Sequence, residues 1–502
     1  MTRKMCWTLS CPPSHVSVGL TMEASAKTQS VLDESVEAPS VALLTHVLSY
    51  DDLTAAVSRA FVVLRRPGDE ARVGRTAGPP GLARGVLGLR DPRMSSMHLV
   101  LRRHTERSAA DGSTRFVDLI EDPLPGSKNG TYLNGHAIVP GTPIALKNGD
   151  LIEVGHTLLC YRQATDDLAV RLTESELDGV EFGPTRTRCP AVVRCVDTLA
   201  SLAPTELRVL FTGETGVGKE SAAVFVHQKS HRAKGRWLAV NCAAISSGLF
   251  ESAFFGHVRG AFTSAVGQAA GFLTQAHGGT LFLDELGSLA PDHQAKLLRV
   301  IETGLFRRVG SDKDEKIDVR WVAATNEDLS TRVRGDLLFR VRQHEICLPP
   351  LGQRREDMGA LIASFLADLR RTNVRVSITP LAARRLCCAP YPGNIRQLGA
   401  VVRAATATAG VRDGAVTITG SSLPSDLTIP APAANDLGPP RPPITEAPPA
   451  VDPHEQRFSE AVLRRALEGR TKAAAAVALR ISVRHLDRLL LRFGLAERYR
   501  RR

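Results

Sequence analysis

The chain has 502 residues and a formal net charge of +12, which is long enough for three or four domains. No apolar run approaches the roughly 18 residues of a membrane-spanning helix, and no apolar stretch of signal-peptide length follows the basic segment 2–4, so we predict no membrane partner. The nine cysteines show no metal-ligand spacing and no repeated framework, which predicts reduced thiols in a cytoplasm.

The N-terminal third divides into two parts. Residues 1–44 are polar and mixed, with no sustained period, and we expect them to be disordered. Residues 45–163 contain short apolar runs, such as 61–64, 98–101 and 151–154, between Gly, Pro, Asn and Asp turns. This alternation predicts an all-β domain.

Four motifs in this segment resemble those of forkhead-associated (FHA) domains. They are Val-Gly-Arg at 73–75, Met-Ser-Ser-Met-His at 94–98, Ser-Lys-Asn-Gly-Thr-Tyr-Leu-Asn-Gly at 127–135 and Asn-Gly-Asp at 148–150. The resemblance implies a β-sandwich that binds phosphothreonine through its loops. In that case Arg75 would clamp the phosphate, Ser95 would donate a hydroxyl, and Lys128 and Asn129 would reach the peptide.

Ser96 departs from the family pattern, which usually has a basic or amide residue at this position. The change predicts weak phosphopeptide affinity. The Asn-Gly pairs at 129–130 and 134–135 are also explained as turn residues with positive φ, an interpretation that fits the fold and leaves binding open.

A glycine-rich stretch follows the apolar run 209–211 and precedes the helix-compatible residues 221–228. It consists of Gly213, Glu214, Thr215, Gly216, Val217, Gly218, Lys219 and Glu220. Such a turn points backbone N–H groups and a helix N-terminus at phosphate oxygens, and the lysine adds a positive charge. The spacing fits an ATP-binding P-loop, although Glu220 stands where Ser or Thr usually binds magnesium. This motif alone also fits a chance match on a loop.

The apolar run 280–283 ends in Asp284 and Glu285. This pattern is typical of a buried parallel strand with acids at its carboxyl end, where open α/β sheets bind ligands. Asp284 can hold Mg²⁺, and Glu285 can polarise a water for attack on the γ-phosphate of ATP. Two acids at a strand end are often only solvated turn residues, but the P-loop upstream favours the catalytic interpretation.

The central region follows a charged connector at 164–185. Residues 186–350 alternate strands and helices as a doubly wound sheet does, and residues 351–410 lack strand patterns, which predicts an α/β core with a helical lid in a domain over 186–420. About 220 residues resemble the AAA+ ATPase of sigma-54-dependent transcriptional activators, the bacterial enhancer-binding proteins. The motifs that carry the resemblance include 213–220, where Glu220 is the usual family residue, 260–265, 275–285 and 391–398.

The resemblance implies roles for residues beyond the P-loop. Asn241 would sense the γ-phosphate by contacting Glu285, and Thr325 with Asn326 matches the first sensor. Arg396 matches the second sensor, in the lid. Arg334 and Arg340 match arginine fingers that reach the ATP of a neighbouring subunit, which implies a homo-oligomeric ring, usually a hexamer.

One loop of this region corresponds to the family loop that grips sigma-54. It is formed by Gly260, Ala261, Phe262, Thr263, Ser264 and Ala265. Ser264 replaces the usual glycine, and this substitution restricts the backbone at that position. An ordinary hairpin insertion is the other explanation for the loop.

The C-terminal region begins with residues 421–453, which contain ten prolines and little apolar content. This composition predicts an extended linker. Residues 454–502 predict helices with a tight connection, and from residue 470 onward they carry a net charge of +8. This region resembles the all-α, Fis-like helix-turn-helix that ends such activators and implies a double-stranded DNA partner. The candidate DNA-binding residues are Arg480, Ser482, Arg484, His485 and Arg488. A solvated basic tail, or a helical hairpin that only dimerises, is the alternative.

Together these features predict a multidomain regulator that binds upstream DNA and uses ATP and Mg²⁺ to remodel sigma-54 RNA polymerase. Its input would be a phosphothreonine protein or a Ser/Thr kinase. The alternative is a phosphoprotein-binding, DNA-bound regulator that hydrolyses ATP but does not activate sigma-54 promoters because Ser264 alters its loop. A metabolic P-loop kinase does not explain the basic C-terminal region.

Overall fold

The computed structural model describes residues 40–432, apart from breaks at 54–58, 79, 108–113, 175–179, 184, 263–264, 328, 330 and 373, together with residues 467, 479 and 486. The chain divides into two units, Met1–Gly438 and Pro439–Arg502. The candidate DNA-binding residues, and Thr263 and Ser264 of the predicted sigma-54 loop, lie outside the described residues. No helix in the described ranges is both long and apolar enough to cross a membrane.

The first described segment is a β-sandwich, as the turn-rich sequence predicts. Its strands, in chain order, are β1 (Ser40–Ser49), β2 (Ala60–Leu64), β3 (Glu70–Arg75), β4 (Gly81–Ala83), β5 (Val86–Leu89), β6 (Leu99–Arg107), β7 (Thr114–Glu121), β8 (Thr131–Leu133), β9 (His136–Ala137), β10 (Ile144–Ala145), β11 (Leu151–Val154) and β12 (Thr157–Thr165). They form two six-stranded sheets in the orders β2-β1-β12-β11-β8-β9 and β10-β7-β6-β3-β5-β4. Alternate apolar side chains of the two sheets, such as Leu44, Leu101 and Ile152, fill the space between them.

Strand β1 corrects the expectation that residues 1–44 are disordered, because residues 40–44 are its first half and are buried. The run 41–44 is apolar at every position because the strand is covered on both faces. Ala42 and Leu44 join the sandwich core, whereas Val41 and Leu43 join a separate cluster with residues of helix α1 (Asp166–Glu174). A strand that is covered on both faces lacks the alternation that marks a half-exposed one.

The predicted connector at 164–185 is also structured, since it contains α1 and most of the hairpin of β13 (Val180–Phe182) and β14 (Thr185–Thr187). The α/β core follows with α2 (Pro190–Leu202), β15 (Val209–Thr212), α3 (Lys219–Gln228), β16 (Trp237–Asn241), α4 (Ser247–Phe255), β17 (Gly256–His257), β18 (Ala269–Ala270), α5 (Phe272–Ala276), β19 (Thr280–Asp284), α6 (Pro291–Thr303), β20 (Leu305–Arg307), β21 (Asp314–Lys316), β22 (Arg320–Ala324), α7 (Gly335–Val341) and β23 (His344–Cys347).

Five of these strands form a parallel sheet in the order β16-β19-β22-β15-β23. Parallel strands need helical crossovers, and apolar clusters cover the two faces of the sheet. The carboxyl ends of β15, β16, β19 and β22 therefore lie at one edge. This edge is where the sequence predicts the nucleotide site.

The lid contains α8 (Met358–Phe365), α9 (Ala367–Arg371), β24 (Arg375–Ile378), α10 (Pro380–Cys388), α11 (Asn394–Ala409) and β25 (Ala415–Ile418). It differs from the all-helical prediction because β24 pairs in parallel with β25, which lies just beyond the predicted lid. The short segment 375–378 is too brief for periodicity to reveal it. The start of the predicted linker is also ordered, because Leu423 and Leu427 are buried in the lid core.

Candidate functional site

The glycine-rich turn joins the end of β15 to the start of α3. Gly213, Gly216 and Gly218 have φ values of +136°, +79° and +105°, a region that residues with a Cβ rarely adopt. Gly216 also needs its missing side chain, because a Cβ there would lie 2.4 Å from Gly393 O. The turn therefore has the backbone of an anion-binding loop that leads into a helix N-terminus, as the sequence predicts.

Lys219 begins α3 and lies within this turn. Its Nζ donates to Gly213 O at 2.7 Å and to Glu214 O at 3.0 Å. Burial lowers the pKa of the Lys219 ammonium, while the nearby Asp284 and Glu285 carboxylates act to raise it. The lysine and the two acids thus form one electrostatic cluster, as the two motifs predict together.

Asp284 is the last residue of β19, and Glu285 follows it with a left-handed φ of +54°. The Glu285 N–H donates to Asp284 Oδ1 at 3.0 Å, which fixes the turn. Hard oxygen donors at a strand edge beside a phosphate-binding loop suit Mg²⁺, which usually takes one or two carboxylates together with substrate phosphates. Asp284 would hold such an ion.

The predicted sensor residues lie at the ends of β16 and β22, the two strands that flank β19. Asn326 Nδ2 donates to Thr215 Oγ1 of the turn at 3.0 Å, and Thr325 is buried, with its hydroxyl bonded to the backbone of Glu327. Asn241 pairs in register with Asp284 across β16 and β19. Its carboxamide oxygen accepts from Ala243 N at 2.9 Å, and no described hydrogen bond joins Asn241 to Glu285, so the predicted contact between them stays a prediction.

The lid supplies Asn394, which lies in the family-like motif 391–398 but has no role predicted from the sequence. Asn394 is buried at the start of α11, and its Nδ2 donates to Glu214 Oε2 at 2.9 Å and to Thr215 O at 3.0 Å. Its Oδ1 accepts from Leu351 N at 2.7 Å. Its φ of +49° suits asparagine better than most residues, and that preference was the available signal. Asn394 therefore clamps the lid to the P-loop.

Arg396 lies two residues further along α11. Its Cβ would be 3.1 Å from a Cβ at Gly216, and its charge acts to lower the pKa of Lys219. Arg396 thus lies beside the P-loop, and its role as the second sensor stays a prediction.

Arg334 directly precedes α7, Arg340 lies in its last turn, and both are on the surface. Arg334 forms a two-bond pair with Asp336, and Arg340 donates to Glu302 Oε1 at 2.8 Å. Their side chains are 50% and 51% exposed. Phe339, next to Arg340, is 76% exposed.

The described part of the predicted sigma-54 loop is held at its base. Gly260 N donates to Ala265 O at 2.9 Å, and Ala265 N donates to Phe262 O at 2.9 Å. The loop continues the β17–β18 pair, and Gly260 has a φ of +81°. Phe262 is 40% exposed and its ring meets His257 edge-on at 4.9 Å. The loop thus presents a partly exposed aromatic side chain.

The structure brings four of the five predicted phosphopeptide residues together at one end of the sandwich, and we call Arg75, Ser95, Lys128 and Asn129 the loop cluster. Arg75 N donates to Ser95 O at 2.9 Å, and Lys128 N donates to Ser95 Oγ at 3.3 Å. Asn129 Nδ2 donates to Arg93 O. Arg75 and Lys128 are exposed, so their charges are available to an anionic ligand.

Ser96, the fifth predicted residue, is exposed beside the cluster. Its carbonyl oxygen would be 2.0 Å from a Cβ at Gly74, so the strand needs glycine there to pass under this loop. Buried His98 supports the loops, because its Nδ1 accepts from Ser95 N and its Nε2 lies 3.2 Å from Gly130 O. Burial lowers the pKa of His98.

Comparison with family models gives three matches along the chain. A model described as FHA domain matches residues 72–155, one described as Sigma-54 interaction domain matches 186–347, and one described as AAA+ ATPase lid domain matches 352–438. The anaerobic nitric oxide reductase transcription regulator NorR of Enterobacter sp. (strain 638) is 34% identical over 380 residues, which cover 72% of this chain and 67% of that protein. The chain belongs to the sigma-54 activator family.

The match to other regulators of the family is narrower. The Nif-specific regulatory protein of Rhodobacter capsulatus is 44% identical over 235 residues, or 46% of this chain, and the chain covers only 40% of that protein's length. A crystal structure of NtrX from Brucella abortus in complex with ATP is 29% identical, with a TM-score of 0.44, over 66% of this chain and 71% of that chain. The predicted FHA sandwich and AAA+ domain with lid are confirmed for this family member, whereas the helix-turn-helix stays a prediction.

Proposed function

We propose that this sigma-54 activator family member is an ATP-hydrolysing transcription regulator that remodels sigma-54 RNA polymerase. The observation that carries the proposal is the convergence of Lys219, Asp284, Glu285 and Arg396 on one sheet edge within the matched AAA+ region. The family match gives the type of domain, and the roles proposed for these four residues add the reaction that the domain would catalyse.

In the proposed reaction the P-loop N–H groups and Lys219 bind the β- and γ-phosphates, and Asn394 with Arg396 keeps the lid over them. Glu285 orients a water and accepts a proton from it as the water oxygen attacks the γ-phosphorus, and the bond from the γ-phosphorus to the β–γ bridging oxygen breaks to release ADP and phosphate. Mg²⁺, when bound, neutralises phosphate charge next to Asp284. Arg334 and Arg340 are exposed and so available to a neighbouring subunit, whose ATP they would reach in a ring.

Transcription in vitro tests this proposal and its alternative. A template with a sigma-54 promoter and an upstream binding site is expected to give ATP-dependent transcripts with this chain. The alternative regulator, altered at Ser264, would hydrolyse ATP and yield none. In that case Ser264→Gly would restore transcription, because glycine returns the backbone freedom of the usual loop.

The loop cluster supports a phosphothreonine input. A phosphate carries a charge of about −1.5 to −2 at neutral pH, and the planar guanidinium of Arg75 can bind two of its oxygens. Lys128 adds charge without that geometry, and Ser96 adds none. The ligand would be a phosphothreonine segment of a protein modified by a Ser/Thr kinase.

We expect Arg75→Ala to weaken phosphothreonine peptide binding by about 10- to 150-fold, as loss of hydrogen bonds to a charged group costs about 1.5–3 kcal/mol. Titration of the full chain with a phosphothreonine peptide library measures this, and Ser96→Arg is expected to bind more tightly. Arg115→Ala is the matched control, since Arg115 is an exposed arginine of the same sandwich paired with Glu106. Equal binding of phosphorylated and unphosphorylated peptides would contradict the proposed input.

The proposed DNA contacts rest on the basic C-terminal sequence alone. Arg484→Ala and Arg488→Ala are each expected to weaken specific binding by about 1–3 kcal/mol, the usual value of an arginine that reads a base edge. Electrophoretic mobility shift measures the change, and truncation after Pro453 is expected to abolish the shift. A truncated chain that still gives the same shift would place the DNA-binding site before residue 454.

A further inference from the structure

The FHA sandwich and the lid share one buried core. Leu48, Tyr50 and Leu158 of the sandwich lie in the same apolar cluster as Met358 and Ile362 of α8. The backbone also joins the two parts, because Leu53 N donates to Val376 O at 2.7 Å and Ile378 N donates to Tyr50 O at 2.9 Å. The segment that follows β1 thus forms backbone hydrogen bonds with lid strand β24.

Helix α8 and strand β1 approach closely at Gly359. A Cβ at this position would lie 1.7 Å from Val47 O on β1 and 2.7 Å from Val47 C, which no side chain could tolerate. Helix interiors otherwise disfavour glycine by about 1 kcal/mol relative to alanine. The direct contact between α8 and β1 explains why this helix position is a glycine despite that cost.

Two ion pairs cross the same interface; in one the arginine belongs to the sandwich, and in the other it belongs to the lid. Arg162 of the sandwich donates to both Glu356 oxygens, at 2.6 and 3.0 Å, and the Glu356 side chain is fully buried. Arg384 of α10 donates to both Glu153 oxygens, at 2.7 and 2.9 Å, and the Glu153 side chain is 4% exposed. Buried two-bond pairs fix geometry strongly, because a charge that stays buried after losing its partner is left uncompensated.

The same contacts lead to both candidate sites. The Arg384 guanidinium lies 3.3 Å from the Tyr132 ring centroid, and that ring would be 3.6 Å from a Cβ at Gly130, the residue after Asn129 of the loop cluster. On the other side, α10 is followed by α11, whose Asn394 and Ile395 bond to the P-loop. The loop cluster is therefore connected to the P-loop by side-chain contacts as far as α10, and from there by the short segment 389–393 that leads into α11.

We infer that the FHA sandwich sets the position of the lid, and through it the nucleotide affinity of the P-loop. The inference rests on the proposed function of the two sites. The docked sandwich holds the N-terminus of α11 against the P-loop, so the binding-competent lid position is highly populated. Releasing the sandwich lowers that population, and the apparent nucleotide affinity falls with it.

Ion-pair variants of the full chain test this coupling. Glu153→Gln and Arg384→Gln are each expected to weaken binding of a fluorescent ADP analogue at least about fivefold, the lower end of typical coupling between sites. The double variant is expected to bind about as well as either single variant, because both remove the same contact. Glu121→Gln is the matched control: the same chemical change in the same sandwich, in a pair with Arg102. Glu153→Gln and Arg384→Gln chains that are folded and bind like Glu121→Gln would overturn the inference.

A steric variant gives an independent test that leaves every charge in place. Gly359→Ala is expected to force α8 away from β1 and to weaken ADP binding at least about fivefold. Gly248→Ala is its control, since Gly248 lies in helix α4 with nothing within 4 Å of the added Cβ. Circular dichroism checks that both chains are folded. Unchanged affinity in folded Gly359→Ala would contradict the coupling.

A phosphothreonine peptide separates this inference from the proposed input. Saturating peptide is expected to change the ADP affinity of the parent chain at least about fivefold, ADP is expected to change the peptide affinity by the same factor in the same direction, and Arg384→Gln is expected to remove both effects. A peptide that binds without changing ADP affinity would overturn the inference. A chain that binds no phosphopeptide would contradict the proposed input alone, and the Glu153, Arg384 and Gly359 variants would then decide the coupling.

Discussion

Glu285→Gln is expected to reduce ATP hydrolysis about 10²–10⁴-fold, the usual contribution of a positioned general base. The amide keeps the size of the side chain but cannot accept the proton of the attacking water. ATP binding should change little, because Lys219 and the P-loop N–H groups stay in place. Lys219→Ala is expected instead to lose binding itself, since it removes the charge that faces the phosphates.

Steady-state phosphate release and equilibrium binding of a fluorescent ATP analogue separate these two outcomes. Glu251→Gln is the matched control, because Glu251 is a carboxylate of the same domain in a solvent-exposed pair with Lys296. Full hydrolysis by Glu285→Gln would assign the base to another residue. Full binding by Lys219→Ala would place the nucleotide outside the P-loop.

Arg334→Ala and Arg340→Ala are each expected to lower ATP hydrolysis about 10³–10⁵-fold, the range measured for arginine fingers. In this chain both side chains pair with exposed carboxylates, Asp336 and Glu302, which a neighbouring subunit's phosphates could displace. Specific activity should also rise steeply with protein concentration, as subunits assemble. Arg342→Ala is the control, since Arg342 lies just after α7, is 52% exposed and pairs with Glu345.

Mixing experiments test whether the fingers act between subunits. Inactive Lys219→Ala and inactive Arg334→Ala chains are expected to regain part of the activity when combined, because an intact finger can then face an intact P-loop. Phe339→Ala is expected to reduce assembly, since a largely exposed aromatic side chain beside Arg340 suits a subunit contact. Hydrolysis at full rate by a dilute monomer would contradict the ring.

The nucleotide site was largely predictable because its signals are local. The turn at 213–220 and the acids at 284–285 can each be recognised from a segment of at most eight residues. Parallel strands then bring their carboxyl ends to one edge of the sheet, so the two motifs are expected to lie close together. The loop cluster was predictable for the same reason, since its motifs mark turns between short strands. Strand β1 was missed at residues 40–44 because burial on both faces removes the alternation that identifies a strand.

The contacts between the sandwich and the lid were not predictable from the sequence. Glu153 and Arg384 are separated by 231 positions, and each alone resembles an ordinary surface charge. From the sequence alone, Gly359 is only a residue that destabilises a helix, and its purpose becomes clear once the structure places the Val47 backbone against it. Asn394 lies in the motif 391–398, but its bonds to Glu214 and Thr215 depend on how the lid packs against the P-loop. Such long-range pairings arise from tertiary packing, which a local pattern does not encode.

Opening of a sigma-54 promoter is the most direct test of the central claim. Closed complexes of sigma-54 polymerase on DNA with an upstream site are incubated with this chain, and permanganate reactivity of unpaired thymines reports strand opening. The account predicts opening with the parent chain and ATP, and none with Glu285→Gln or without nucleotide. Opening without hydrolysis, or hydrolysis by the parent chain without opening on any upstream site that it binds, would contradict it.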